Sequence, residues 1–169
     1  MTATSDLATL IILLKHKAIR LLSGAYSEVL VPMSIIEEVP TSSLDDALSE
    51  GWIQLMEADT NYLMRVDEAE ARSGIKLSVD EEGCIALSLQ YEAHPVVTSD
   101  RQVETVAELL GITTEGIPSA IIGASRSGMI SEKESLKIFH EIYEDLLPGF
   151  GVEGIFLEMS GRKSSITDD

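Results

Sequence analysis

Acidic residues at the ends of short apolar runs carry the first chemical signal in this sequence. Val96-Val97-Thr98-Ser99-Asp100-Arg101 reads as a short buried strand that ends in two hydroxyls and an acid, then turns into a helix over 102–110. The carboxyl end of a strand, at a strand-to-helix turn, is where open α/β sheets place their ligands. Asp6 holds the same position after a short first strand, Thr-Ala-Thr-Ser. Glu38 follows the second strand, and Glu81 lies in the first turn of the helix that feeds the Asp100 strand. In a parallel sheet these four points converge on one edge. Two carboxylates about 5 Å apart repel by roughly 3 kcal/mol at an effective dielectric of 20. Three or four together therefore need a proton, a cation or a guanidinium among them. Hard oxygen ligands with open positions suit Mg²⁺ or Mn²⁺. A metal so held polarises a phosphoryl oxygen and lowers the pKa of an attacking water, which is the chemistry of phosphodiester hydrolysis.

Each acid also has an ordinary reading, because 29 of the 169 residues are Asp or Glu. Asp6 and Asp100 are placed to cap the helices that follow them. Glu81 and Glu82 complement the positive end of a helix, and Glu37 fits a solvated face. Thr98 and Ser99 either position a water or a metal-bound carboxylate, or cap the 102–110 helix. Cys84, the one cysteine, sits in an apolar helix face and reads as a buried structural thiol. No His/Cys grouping has zinc-ligand spacing.

The elements that must position these residues alternate. Thr2–Ser5 is the first strand, and Leu7–Leu22 reads as one helix, apolar at its start and ended by Ser23-Gly24. Glu28–Val31 is the second strand. Pro32 opens a short helix over Met33–Val39 that carries Ile35, Ile36 and Val39 inward, and Pro40 stops it. Ser43 is placed as the cap of a helix over Leu44–Glu50. A strand over 52–56 follows, then helices over 61–72 and 79–93, the Pro95–Thr98 strand and the 102–110 helix. A last strand is expected over 111–114, and final helices over 118–127 and 131–147. Strand and helix in alternation imply a parallel sheet covered on both faces, an α/β fold in one domain over residues 1–147. Residues 148–169 read as a Gly-rich, irregular C-terminal extension whose apolar residues pack back onto the domain or across a dimer, with a disordered tail over 162–169.

The bulk properties bound the rest. The chain is 44% hydrophobic and poor in aromatics, so its core is expected to be aliphatic. Its net charge of −17, from 29 acids against 12 bases, argues against nonspecific attraction to nucleic acid or an anionic membrane. The longest early apolar run, Leu7–Leu14, is too short to span a bilayer and lacks the flanks of a signal peptide. With one cysteine and no such segment, a cytoplasmic location is expected.

Five short motifs in order then point to a family. Ser5-Asp6-Leu7-Ala8-Thr9-Leu10-Ile11, Val31-Pro32 through Glu38-Val39, Leu48-Ser49-Glu50-Gly51-Trp52-Ile53, Asp80-Glu81-Glu82-Gly83-Cys84-Ile85-Ala86-Leu87, and Thr98-Ser99-Asp100-Arg101 with Leu110-Gly111-Ile112 resemble the PIN-domain family, above all members related to VapC-type toxins. The resemblance selects Glu38 over Glu37, and Glu81 over its neighbours. Asp80 stands where the family has Gly, and Ser99 where many members carry a second acid. The resemblance implies a three-layer α/β/α sandwich with a central parallel sheet. It implies a Mg²⁺- or Mn²⁺-dependent endoribonuclease of single-stranded RNA, with Asp6, Glu38, Glu81 and Asp100 as catalytic metal ligands. It also implies a homodimer and, for a VapC-type member, a small antitoxin partner. Lys15, Lys17, Arg20, Arg101 and Arg126 form no contiguous basic stripe. The acidity therefore fits either work at high salt or a PIN-like interaction module that has lost catalysis.

Overall fold

The structure, a computed structural model, describes residues 1–144. Its centre is a five-stranded sheet in the order β3-β2-β1-β4-β5, with every neighbouring pair parallel. The strands are β1 (Thr2–Ser5), β2 (Glu28–Pro32), β3 (Ile53–Met56), β4 (Val96–Val97) and β5 (Thr114–Glu115). Ser5 pairs with Val97, so β1 and β4 end side by side.

Eight helices are described: α1 (Leu7–Lys15), α2 (Leu21–Ala25), α3 (Asp45–Ser49), α4 (Thr60–Ser73), α5 (Val79–Tyr91), α6 (Arg101–Leu109), α7 (Ile117–Arg126) and α8 (Glu132–Glu144). They cover both faces because the strands are apolar on both. Ala3, Val29, Val31 and Val97 pack with Leu10 and Leu13 of α1, Leu22 of α2, Ile121 of α7 and Phe139 of α8. Val96 packs on the other side with Val66 of α4, Ile85 of α5 and Val106 of α6. This is the expected three-layer α/β/α sandwich.

Several local expectations are corrected. The first helix does not run unbroken from Leu7 to Leu22. Lys17 adopts a left-handed φ of 55°, its N–H donates to Leu14 O (3.0 Å), and that of Ala18 donates to Leu13 O (2.7 Å). This is a Schellman stop, made at a lysine where a glycine is usual. Gly24 does not end a helix either. It lies inside α2, where an added Cβ would come within 2.9 Å of the Ala124 Cα on α7. Gly123 of α7 meets Ala25 in the same way, at 2.7 Å. These two glycines let α2 and α7 cross backbone to backbone.

Met33–Glu37 is a 3₁₀ turn, and its Ile36 is 43% exposed instead of buried. Ser43 does not cap α3: it belongs to a second 3₁₀ turn, Thr41–Ser43, and the N-cap of α3 is Leu44, which supplies no side-chain hydrogen bond. The last strand lies at 114–115 and not 111–114. Gly111 (φ +73°) and Ile112 instead close α6, donating to Glu108 O and Ala107 O at 3.0 Å each. The end of the helix expected to reach 147 and the extension over 148–169 lie outside the described residues.

Candidate functional site

The chain builds β1, β2 and β3 outward in one direction, then returns to lay β4 on the other side of β1. The crevice beyond the carboxyl ends of β1 and β4 is therefore the topological switch point of the sheet, where open α/β folds bind ligands. Asp6 follows β1 there, and Thr98-Ser99-Asp100 follow β4.

Asp6 is only 1% exposed. Its Oδ1 accepts the Thr9 N–H at 2.8 Å, which caps α1, and its Oδ2 accepts the Thr98 hydroxyl. The same Thr98 oxygen accepts the Asp100 N–H at 3.0 Å. One buried hydroxyl thus ties the first acid to the backbone of the last. Asp100 caps α6, its Oδ1 accepting the Gln102 N–H at 2.7 Å. The exposed Ser99 hydroxyl makes no hydrogen bond among the described residues. The Thr98 hydroxyl thus contacts both a carboxylate and the N-cap residue of α6.

Glu81 lies in a capping box at the start of α5. Its Oε2 accepts the Ser78 N–H at 2.8 Å, and the Ser78 hydroxyl accepts the Glu81 N–H at 3.4 Å. Burial, then the Asp6 carboxylate and to a smaller extent Glu81, push the Cys84 thiol up. That buried thiol is therefore held in its protonated form. Capping and chemistry are not exclusive here. Each cap uses one oxygen of Asp100 and Glu81 and leaves the other without a hydrogen bond among the described residues.

Glu38 ends the 3₁₀ turn after β2 and is exposed, with no side-chain partner among the described residues. Two contacts bring its turn to α5. The Ser34 hydroxyl donates to Asp80 Oδ1 at 2.5 Å, and Gly83 lies so close to Pro32 that an added Cβ would meet that ring at 3.1 Å. Asp80, where the family has Gly, is thus used as a tether.

The donor set suits a hard divalent cation. It consists of carboxylate oxygens, and no Lys or Arg pairs with the buried Asp6 among the described residues. A buried carboxylate held by hydrogen bonds but left without a counter-ion is the setting in which a metal is favoured. The four acids are not drawn tightly together, however. Among the described residues, the group of three whose carboxylate oxygens lie within 4.8 Å of one another is Asp67, Glu70 and Glu82.

Sequence reasoning missed that group. Glu70 is 4% exposed, and its oxygens accept the Leu77 N–H at 2.5 Å and the Lys76 ammonium at 3.2 Å. Lys76 also reaches Glu82 at 2.5 Å, and these two acids push its pKa up, Glu82 first. The cluster already holds a cation, the lysine itself, and braces the first turn of α5 beside Glu81. Only the burial of Glu70 could be read from the sequence, since it falls at the i+4 position from Val66 on the buried face of α4; its grouping with Glu82 and Lys76 could not.

Over 85 residues the chain is 29% identical to endoribonuclease Nob1 of Methanocaldococcus jannaschii, a match that covers 49% of this chain and 43% of that protein. The chain thus spans less than half the length of that relative. The sequence model of the PIN domain matches residues 2–145, nearly the whole described chain. With a model match over that span, on a parallel five-stranded sheet, the chain belongs to the PIN-domain family.

Proposed function

We propose that this protein is a metal-dependent endoribonuclease that hydrolyses phosphodiester bonds of single-stranded RNA. The observation that carries the reading is Asp6: a buried carboxylate at the switch point, fixed through both oxygens and without a cationic partner among the described residues. Asp6, Glu38, Glu81 and Asp100 would hold Mg²⁺ or Mn²⁺. The bound ion would supply a polarised phosphoryl oxygen and a water of lowered pKa. The chain's own part is orientation. Thr98 fixes Asp6, the Asp100 N–H fixes Thr98, and the capping box fixes Glu81. The PIN membership and the endoribonuclease name of the similar archaeal protein support RNA as substrate. Toxin-like action with a small antitoxin and a homodimer complete the proposal and rest on the family resemblance alone; a cytoplasmic location rests on the single cysteine.

A second reading, a PIN-like interaction module without catalysis, is favoured by the exposure of Glu38 away from any partner. Cleavage of a mixed-sequence single-stranded RNA with Mn²⁺, at low and at molar salt, separates the two. Wild type is expected to cleave and to stop when EDTA is added. Asp100→Asn is expected to lose more than about a hundredfold in rate while keeping its fold, since even residues behind metal ligands cost ten- to a hundredfold. Equal cleavage by Asp100→Asn, or none by folded wild type at any salt, would overturn the nuclease reading.

A further inference from the structure

A cleft of about 410 Å³ opens at the carboxyl ends of β2 and β3, between the 3₁₀ turn that leads to Glu38 and the first turn of α5 that carries Glu81. Its walls are apolar: Met33 and Ile36 from the 3₁₀ turn, Met56 and Ala58 after β3, and Val79 and Gly83 from α5. Ile36 is 43% and Val79 72% exposed, so these side chains face solvent instead of the core. The rim carries two carboxylates, Glu37 and Glu57. Neither has a cationic or hydrogen-bonding partner among the described residues. The cleft also touches the site directly in sequence. Val79 and Gly83 flank Glu81, and Glu37 precedes Glu38.

We propose that this cleft is a nucleobase subsite that selects bases bearing an exocyclic amino group over uracil, with Glu37 and Glu57 as the specificity-determining residues. The proposal rests on the ribonuclease reading above for its biological setting. Its physical basis is complementarity. The volume exceeds the roughly 300 Å³ at which small-ligand clefts begin. Flat apolar walls of Met, Ile and Val suit the faces of an unstacked base, and single-stranded RNA presents its bases splayed out. A carboxylate only accepts hydrogen bonds. It rewards the amino group of cytosine or adenine, as carboxylates reward the cytosine amino group in DNA, and repels the carbonyl that uracil puts in its place. The same two charges repel phosphate, so a strand would enter with its base in the cleft and its backbone toward the cation that Asp6, Glu38, Glu81 and Asp100 would hold. Glu37, which lines this cleft, thereby gains a role distinct from that of its neighbour Glu38.

The test is a titration of the full-length protein, labelled with ¹³C at its methionine methyls, with cytidine, adenosine and uridine in Mg²⁺ buffer. The Met33 and Met56 resonances are expected to move with cytidine and adenosine, each binding roughly tenfold tighter than uridine, as the loss of one charged hydrogen bond implies. In Glu37→Gln/Glu57→Gln, whose amides donate as well as accept, the cytidine-to-uridine ratio is expected to fall toward one. Uridine binding as tightly as cytidine in wild type, an unchanged ratio in the double variant, or unmoved Met33 and Met56 methyls at saturating nucleoside would each overturn the proposal. The RNA cleavage assay is run separately. Nucleoside selection without cleavage would sink the nuclease reading and keep the subsite. Cleavage without selection would do the reverse.

Discussion

Thr98 is the residue on which the candidate site turns. Its hydroxyl has one proton and two lone pairs, and the structure uses the proton on Asp6 Oδ2 and a lone pair on the Asp100 N–H. Replacing it by valine keeps the shape and removes both bonds. Asp6 is then left buried with one oxygen short of a donor, which costs about 1–3 kcal/mol. Thr98→Val is therefore expected to lower the urea midpoint of unfolding and to reduce RNA cleavage by about ten- to a hundredfold, as support for ligands does elsewhere. Thr98→Ser is expected to restore most of both. Stability lost without any loss of rate would mean that Thr98 serves only the fold.

Among the elements, α5 decides where Glu81 stands, and Gly83 decides where α5 stands. A Cβ at Gly83 would meet the Pro32 ring at 3.1 and 3.2 Å, two contacts tighter than ordinary packing. Gly83→Ala must push α5 away from the end of β2, at the cost of about 1–3 kcal/mol typical of overpacking. Ala has the better helix propensity, so a stabilised Gly83→Ala protein in thermal unfolding would show that this approach is slack. Such contacts are what the sequence conceals. The alternation of elements and the acids at strand ends and in the first turn of α5 were legible because each depends on neighbours in the chain. The break of the first helix at Lys17, the crossing of α2 and α7 at Gly24 and Gly123, and the ring of Glu70, Lys76 and Glu82 were not legible. They depend on which element arrives alongside, or on a lysine in a backbone region that glycine normally takes. For the same reason the spacing of Asp6, Glu38, Glu81 and Asp100 along the chain did not show how closely the fold brings them together.

At the scale of the molecule, charge and a buried phenol give opposite pH and salt signatures. Tyr26, 3% exposed, donates its hydroxyl to Glu115 Oε2 at 2.7 Å, which joins the start of β2 to the end of β5. Burial, and then Glu115, push its pKa well above the ordinary 10.0. The folded chain keeps this proton where the unfolded chain loses it. Its contribution is therefore complete below pH 10 and is lost as pH rises above that, with a slope approaching about 1.4 kcal/mol per pH unit. Tyr26→Phe is expected to flatten that alkaline limb in denaturant titrations, and an unchanged limb would remove Tyr26 from the account. The net charge of −17 acts on the substrate instead. Proteins that grip nucleic acid through a basic stripe lose affinity as salt rises, because phosphate contacts release counter-ions. Here, with acids outnumbering bases 29 to 12, the long-range force on an incoming RNA is repulsive. Raising ionic strength from about 0.1 M to about 1 M shortens the Debye length from about 10 Å to about 3 Å and screens that repulsion. It leaves contacts inside the site, which are shorter than that length, largely intact. Cleavage measured as kcat/KM across this range is therefore expected to rise with salt before it levels off. A monotonic fall would mean that a local group of bases, and not the charge of the whole molecule, governs the approach of RNA.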